Sequence, residues 1–530
     1  MNVFVVNKDT RREAGDEARA GNIAAAKAVA DIVRSTLGPR SMLKMVLDPM
    51  GGIVLTSDGN TILREIDVAH PAAKTMLELS RAQDEEVGDG TTTAIVLAGE
   101  LVDAARPLLE AHVHPIAITT GFFHALEDAL AIGPSLTFRV DTTNSEDMEH
   151  CIRSSLGTKA TGTWCDKLCE LARKAVSIVA RGSEPGAPID LKRFAKVEKV
   201  PGASIEDCTV LDGVMINKDV TGPTMARRIE NPRIVLVDCP IEYRKAESQF
   251  NVELTQAGDF EKMLKLEEDY VARLVSDILA VHPNVLITEK GVSDLAEHLL
   301  AEAGVSVIRR TRKTDLQRIA KASGARIVHR TRDLNEEDVG TWAKLFEVKT
   351  IGDEPFTFIT GADRAQACTI LLRGAAKDVL HEVERSLQDA MSVARSIVSD
   401  PLLVVGGGAF EMALSARLLS KAATLGGEER LAYEAVAHTL EVIPRTLIGN
   451  CGASVIRLIT ELRSIHAAHS GSEPCPMGVD GTAGKICDMR AAGIWDPYAT
   501  KIQAIKGAVE NACMLLRIDG LLNARRSRDD

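Results

Sequence analysis

Strand-like runs are concentrated in one block of this sequence. Between about Lys199 and Val348, RIVLVD, NVLITE, VSVIRR and RIVHR alternate with the helical segments DFEKMLKLEEDYVARLVSDILAV, VSDLAEHLLAEA and KTDLQRIAKASG. That alternation predicts an α/β layer domain, with helices packed over a sheet. From Gly15 to about Ala131, and again from about Ala375 to the C-terminus, the pattern is helical and Ala-rich. Ile23, Ala26, Ala30, Val33 and Leu37 step by three and four and so place one apolar stripe on a single helix face. A chain of 530 residues exceeds one hydrophobic core and should hold about three domains. Two helical halves of similar composition around an α/β block predict nesting, in which the chain ends share one helical domain and the α/β module is inserted.

Local punctuation refines this picture. Leu37-Gly38-Pro39 is expected to stop the first helix, Gly by taking a left-handed conformation and Pro by its inability to continue. In KMVLDPMGGIVLTSDG, two short apolar runs around Pro49-Met50-Gly51-Gly52 predict a β-hairpin, with helical periodicity resuming at Ala72. The KTDLQRIAKASG helix carries Thr314 and Gln317 as a capping box and Gly324 at its C-terminal end.

Charge and cysteine usage narrow the function. A net charge of -12 with 3% aromatic residues argues against nucleic acid, since phosphates need a basic face and single strands need stacking rings. The opening MNVFVVNKDTRREAG has too short an apolar run for a signal peptide, and no stretch approaches a membrane span, so a cytoplasmic protein with no membrane association is expected. The ten cysteines are scattered and no pair shows CxxC spacing, which predicts free buried thiols rather than a zinc or redox site.

The chemistry is expected at Gly-rich turns. No P-loop is present: GTAGKIC at Gly481 to Cys487 lacks the upstream glycine and puts Ile486 where a hydroxyl should follow the lysine. GDGTTT at 88–93 fails as a dinucleotide fingerprint, because Thr93 fills its sixth position and the preceding segment reads as helix. Its glycines still let backbone approach closely, and a helix opening at about Thr91 offers amides and a positive dipole end to an anion, although Asp89 would repel one. Gly406-Gly407-Gly408 follows LLVV and opens a second helical run, AFEMALSARLLS. Taken singly, each turn reads first as a tight bend. Together with the LGP break and the isolated acids Asp58, Asp89 and Asp389, they point to a nucleotide.

LGP at 37–39, SDGN at 57–60, GDGTTT at 88–93, QDAM at 388–391, GGG at 406–408 and GIWDP at 493–497 resemble, in order and over nearly the whole chain, the signature series of group II chaperonins. NPRIVLVDCPIEYRKAESQ, IRRTRKTDLQRIAKASGARIV and LEVIPRTLIGNCGAS resemble one subunit type of that family's eukaryotic cytosolic branch. The resemblance implies a multi-domain α + α/β fold with group II chaperonin architecture. Its parts are a mainly helical equatorial domain from both chain ends (1–145 and 404–530), an intermediate domain in two pieces (146–213 and 371–403) and an inserted α/β apical domain (214–370). A helical protrusion over IEYRKAESQFNVELTQAGDFEKMLKLEEDYV would form a built-in lid.

The implied activity is that of an ATP-dependent molecular chaperone subunit, an ATPase whose hydrolysis closes a chamber around cytosolic polypeptides such as actin and tubulin. The implied partners are paralogous subunits in a hetero-oligomeric double ring of eight subunits per ring, with a co-chaperone such as prefoldin. The implied cofactors are ATP or ADP, Mg²⁺ and K⁺. Carried onto matching positions, Leu37, Gly38 and Pro39 cradle phosphates, and Gly90, Thr91, Thr92 and Thr93 supply donors. Gly407 approaches the nucleotide, Asp496 accepts from ribose hydroxyls, and Gly481 and Lys501 line the base and ribose end. Asp89 would coordinate Mg²⁺, Asp389 would orient or deprotonate the attacking water, Asp58 would be a second carboxylate near it, and Lys159 would sense the γ-phosphate. Such a division suits phosphoryl transfer, which depends on positioning and charge neutralisation.

Asp389 lies near the hinge in sequence, so domain closure would deliver it. The helix at Lys313 to Ser323 would face captured polypeptide, burying Leu316, Ile319 and Ala320 and presenting Lys313, Arg318 and Lys321 as a basic face. A chaperonin-like scaffold without hydrolysis is disfavoured because Asp89 and Asp389 are both present. A small-molecule phosphotransferase would need an acceptor-pocket motif, and none converges outside this constellation.

Overall fold

The computed structural model describes residues 11–47, 51–141, 145–181, 189–243, 257–469 and 474–523. The chain forms two compact units: Met1–Ala172 together with His381–Asp530, and Arg173–Leu380. The boundaries fall within the helices Cys165–Val179 and Lys377–Ser399.

The first unit is helical and is built from both chain ends. Strand Arg11–Ala14 pairs antiparallel with Gly520–Asn523, in the register Arg11 to Asn523. At the centre lies the helix Thr91–Ala104, on which Thr91 and Thr93 and nearly every following residue to Val102 are buried. A helix that is apolar all round belongs inside a large core. The helices Asp16–Arg34, Pro71–Glu86, Gly427–Leu440 and Tyr498–Leu516 pack around it. The core they share includes Ile95, Leu97, Phe122 and Tyr433. Asp16–Arg34 approaches the central helix closely at Gly99, where an added Cβ would sit 2.4 Å from the Ala30 Cβ.

Several local expectations hold and others shift. The first helix ends at Arg34 with Ser35 as its C-cap, three residues before the LGP turn, in which Gly38 has φ +93. Strands Lys44–Leu47 and Ile53–Thr56 form the expected antiparallel hairpin, with Lys44 opposite Thr56, and of the expected turn at 49–52 the first two residues lie outside the described residues. Helical structure resumes earlier than expected. Gly59–Glu65 forms a short helix capped by Asp58, seven residues being too few to show a period, and Pro71 opens the next. A small antiparallel sheet of Phe138–Arg139, Leu402–Val405 and Trp495–Pro497 sets Val404 opposite Asp496 and so brings the GGG turn beside GIWDP.

The second unit is the expected α/β block with two further sheets. A four-stranded parallel sheet runs in the order Ser306–Ile308, Val285–Thr288, Ile234–Val237, Ile327–Val328. The first three strands are wholly buried, which is why they read as continuous apolar runs rather than alternating ones. A second sheet joins Gly213–Ile216, Glu354–Thr360, Leu345–Ile351 and Arg228–Glu230, all antiparallel. In a third, Cys368–Gly374 runs parallel to Ala195–Pro201 and antiparallel to Thr209–Leu211.

Two expectations about the helix Lys313–Ser323 are corrected. Its N-cap is Arg312 with no side-chain cap, so Thr314 lies inside the first turn, and Gln317 Oε1 instead accepts from Arg193 at 3.1 and 2.6 Å. Gly324 does close the helix, at φ +77. Leu316 and Ile319 are fully buried as expected, but Arg318 is not a free cation. Its guanidinium donates to Asp315 at 2.8 Å and to the Arg193 carbonyl at 2.6 Å, which removes it from any basic face. Of the expected lid segment, residues 244–256 lie outside the described residues. Among the described residues no helix is long and apolar enough to cross a membrane.

Because Gly99 lets two helices meet without a side chain, Gly99→Leu should overpack the helical unit and destabilise it by about 1–3 kcal/mol. Thermal unfolding followed by far-UV circular dichroism should show a lower first midpoint.

Candidate nucleotide site

A cavity of about 560 Å³ opens in the helical unit, and every site residue expected from the sequence lines it: Leu37, Gly38, Pro39, Asp58, Asp89, Gly90, Thr91, Thr92, Thr93, Lys159, Asp389, Gly407, Gly481, Asp496 and Lys501. They come from segments more than 450 residues apart, and the folding of both chain ends around the central helix brings them together.

The N-terminus of that helix forms one wall. Gly90 is its N-cap at φ 77, ψ 18, a left-handed conformation that costs any residue with a Cβ, so the turn needs glycine there. Asp89 turns back on it: its Oδ1 accepts from the Gly90 N–H at 2.7 Å and its Oδ2 from the Ser155 hydroxyl at 3.2 Å. Gln83 Nε2 holds the Asp89 carbonyl at 3.0 Å. Asp58 is engaged on both oxygens. Oδ1 accepts from Asn60 N–H and the Thr91 hydroxyl, and Oδ2 from Thr61 N–H and the Thr61 hydroxyl, at 2.7 to 3.3 Å. Four donors fill the roughly four acceptor positions of a carboxylate, so Asp58 caps one helix and fixes the first hydroxyl of another.

Opposite, on the helix Lys377–Ser399, Asp389 forms an ion pair with Lys159. Burial works against the Lys159 ammonium, but Asp389, Asp89 and Asp58 together raise its pKa, so it stays charged. The same cluster is short of positive charge. Burial raises Asp89 above the ordinary carboxylate range despite Lys159, the Gly90 N–H and Ser155. Burial, with the charges of Asp58 and Asp89, raises Asp389 well above it despite Lys159. Three carboxylates around one ammonium leave an excess of negative charge, which a cation would relieve.

That excess is the test of whether a metal fits. Among the described residues no group of three or more His, Cys, Asp or Glu side chains is arranged to hold a metal ion. Single carboxylates such as Asp89 suit Mg²⁺, which is commonly bound through one or two carboxylates plus substrate phosphates and water rather than in a protein cage. The donor set therefore fits a hard divalent cation that arrives with phosphate.

The far wall carries a second charge group. Lys501 Nζ donates to Glu411 Oε1 at 2.9 Å and lies 3.1 Å from Asp496 Oδ2. Burial opposes the Lys501 charge, but Asp496 and Glu411 raise its pKa and keep it protonated. Its hydrogens thus go to protein acids, and it positions Asp496 rather than reaching for an anion itself.

Sequence reasoning missed several of these partners. Glu411, 1% exposed, is a lone acid inside the apolar run AFEMAL, a pattern that signals a buried charge with a partner. Glu382 and Arg385 line the cavity two turns and one turn before Asp389, and an acid and a base three apart on a helix were the available signal. Arg385 ties the hairpin in place through the Leu55 carbonyl at 2.8 Å, and Glu382 accepts from the Ser57 hydroxyl at 3.2 Å. Ser155 carried no signal. The buried hydroxyls of Ser386 and Thr500 also line the cavity and have no protein partner.

Comparison with known proteins agrees with this geometry. Residues 29–526 match the model of the TCP-1/cpn60 chaperonin family, and the chain belongs to that family. Within it, the chain is 53% identical over 528 residues to T-complex protein 1 subunit gamma of Schizosaccharomyces pombe, covering 100% of this chain and 99% of that one. It is likewise 53% identical over 529 residues to T-complex protein 1 subunit gamma of Homo sapiens, covering 100% and 96%. The gamma subunit of Thalassiosira weissflogii is 51% identical over 548 residues, covering 99% and 98%. The subunit type to which three stretches of the sequence pointed is therefore gamma.

The raised carboxyls make stability depend on pH. A carboxyl whose pKa is higher folded than unfolded binds its proton more tightly in the native state, so stability falls as pH rises above about 4, the ordinary Asp value. Asp89→Asn removes this contribution. Without metal or nucleotide, the midpoint of Asp89→Asn relative to wild type should be near zero difference at about pH 4 and increasingly positive toward neutrality. Differential scanning calorimetry across that range checks it.

Proposed function

We propose that the cavity binds Mg²⁺-ATP and hydrolyses it to ADP, making the chain the ATPase subunit of a folding chamber. The observation that carries this reading is a single buried ammonium, Lys159, set among three carboxylates beside the N-terminus of a buried helix. Helix amides and a dipole end attract phosphate, while the surplus carboxylate charge calls for a cation. A site needing both at once fits a metal-bound polyphosphate better than either ligand alone.

Roles follow from the contacts. Leu37, Gly38, Pro39 and the backbone of Gly90 to Thr93 would cradle the phosphates, with Gly407 against the nucleotide. Asp89 would hold Mg²⁺, which would supply positive charge to offset that of the phosphates. Asp389 is a stronger acid once the neighbouring charge of Asp89 is neutralised, so it would serve as proton acceptor for the attacking water mainly in the loaded site. Lys159 holds Asp389 in an ion pair, and an incoming γ-phosphate would compete for that ammonium and release the carboxylate. Asp58, saturated with donors, would act near the water through its charge and through Thr91. Asp496, steadied by Lys501, would accept from the ribose hydroxyls beside Gly481. The unpartnered hydroxyls of Ser386 and Thr500 are acceptors that a second cation such as K⁺ could use.

As a member of the chaperonin family, the chain is a chaperone subunit, one of a set of paralogous chains. The fuller reading adds a cytosolic double ring, eight subunits per ring, that closes on polypeptides such as actin and tubulin delivered by a prefoldin-type co-chaperone. It also divides the chain into equatorial (1–145, 404–530), intermediate (146–213, 371–403) and apical (214–370) parts. Pairing of Ala195–Pro201 with Cys368–Gly374 supports that division, since it joins the segments entering and leaving the apical part. The exposed apolar residues of the hairpin, among them Met45, Leu47 and Ile53, support burial against a neighbouring subunit.

In the assembled particle, Asp389→Ala should bind ATP as wild type does yet lose about 10²- to 10⁴-fold in hydrolysis rate, the usual worth of a positioned general base. Phosphate release measured beside nucleotide binding decides the matter. Hydrolysis by that variant at the wild-type rate would remove Asp389 from the chemistry.

A further inference from the structure

Although the sequence has no CxxC pair, the fold sets two thiols side by side. Cys165 and Cys169 lie one turn apart at the start of the helix Cys165–Val179, with Sγ atoms 3.9 Å apart. Cys165 is partly exposed, whereas Cys169 is buried. By contrast, Cys368, Cys451 and Cys513 direct their thiols to backbone carbonyls. We propose that Cys165 and Cys169 are a reversible oxidation site, at which a peroxide oxidises Cys165 and Cys169 resolves the product to an intrahelical disulfide.

The two cysteines differ in the way such chemistry needs. Cys165 is the first residue of its helix, where the dipole favours a thiolate, and it is accessible to a small oxidant. The hydrogen bond from Cys169 lowers its pKa, and the Arg153 guanidinium nearby, itself paired with Asp166, adds to that against the opposing effects of burial and the Asp166 charge. Cys169 is held as the neutral thiol by the same hydrogen bond and by burial. An accessible thiol with a lowered pKa beside a second thiol is the arrangement of redox-sensing cysteines.

The steps balance. The Cys165 thiolate attacks hydrogen peroxide, the O–O bond breaks, and Cys165 sulfenic acid and hydroxide form. The Cys169 sulfur then attacks the sulfenic sulfur, the S–O bond breaks, and the departing hydroxyl takes the Cys169 proton and leaves as water. Two electrons pass from the pair to the peroxide.

Position along the helix makes closure feasible. Side chains four apart on a helix have Cβ atoms about 5–6 Å apart, against about 3.5–4.5 Å in a disulfide, so bonding requires a shift of roughly 1–2 Å. In mid-helix that shift would strain several backbone hydrogen bonds. At the first residue the N–H has no partner within the helix, so only the opening turn must adjust. The preceding segment, Ala160–Trp164, is a single short 3₁₀ turn, capped by Lys159 at one end and Cys165 at the other.

The sequence supplies a clean assay, because trypsin cleaves after Lys159, Lys167 and Arg173 and so separates the two cysteines. The full chain in its native complex is treated with hydrogen peroxide, free thiols are alkylated, and the protein is digested without reductant. We expect peptides 160–167 and 168–173 to appear as one cross-linked species, two hydrogens lighter than their sum, that disappears on reduction. Cys169→Ser should instead accumulate a dimedone-reactive sulfenic acid at position 165, and Cys165→Ser should give neither product. Alkylation of both cysteines after a peroxide dose that oxidises other thiols of the complex would overturn the proposal. So would a cross-link from either to a different cysteine, or dimedone labelling at Cys169.

Discussion

A helix buried along its whole length must also bury its first turn, where backbone N–H groups have no partner within the helix. Thr91–Ala104 is such a helix, and the rest of the helical unit is arranged around that requirement. Apolar neighbours from both chain ends can cover its sides, but they cannot cover its N-terminus without stranding donors. The structure leaves a cavity there, open to the first-turn N–H groups, and lines it with Asp58, which accepts from the Thr91 hydroxyl, and Asp89, which accepts from the N–H of the N-cap Gly90. The ligand pocket is thus a consequence of how the core is built.

Once acids are used to manage buried donors, their charge must be managed in turn. Lys159 answers three carboxylates at one end of the cavity, and Lys501 answers Glu411 and Asp496 at the other. The two ends differ in a way that matters. At the Lys501 end one lysine faces two acids, Glu411 and Asp496. At the Lys159 end one lysine faces three, Asp389, Asp89 and Asp58, which leaves a larger deficit of positive charge for the ligand to fill. On the proposed reading, the protein alone would position the ribose end, whereas the phosphate end would be completed by what binds.

Much of this was legible in the residues, because Gly and Pro report backbone requirements directly. GDGTTT announced a glycine-capped helix start, and the structure has Gly90 in a left-handed cap. Strand-like runs alternating with helical segments announced an α/β layer, and Val285–Thr288 and Ile234–Val237 are adjacent, parallel and wholly buried. Features settled by tertiary contacts were not legible. Thr314 and Gln317 match a capping box in spacing, but the N-cap is Arg312, two residues earlier, and Gln317 turns to Arg193 in a distant segment. Arg318 read as a surface charge until Asp315 and the Arg193 carbonyl took its donors. Asp58 showed a local signal that was passed over: an acid ahead of Gly-Asn-Thr is an N-cap pattern, and its carboxylate is spent on that cap.

The case of Asp58 bears on how the acids divide the work. Asp58 already accepts four hydrogen bonds, so its acceptor positions are taken, whereas Asp389 has one strong partner, Lys159, and a pKa raised by burial. Of the two acids nearest the proposed water, Asp389 is the one not tied into the local backbone. Loss of a proton acceptor at Asp58 would unseat the helix Gly59–Glu65 and the Thr91 hydroxyl together, so its contribution is architectural even though it lies in the site. The same distinction separates Asp89 from Asp496: each is partly satisfied by protein donors, but Asp496 has a lysine 3.1 Å away and Asp89 does not. The acid left undercompensated is the one adjoining the helix N-terminus, where phosphate and metal would have to meet.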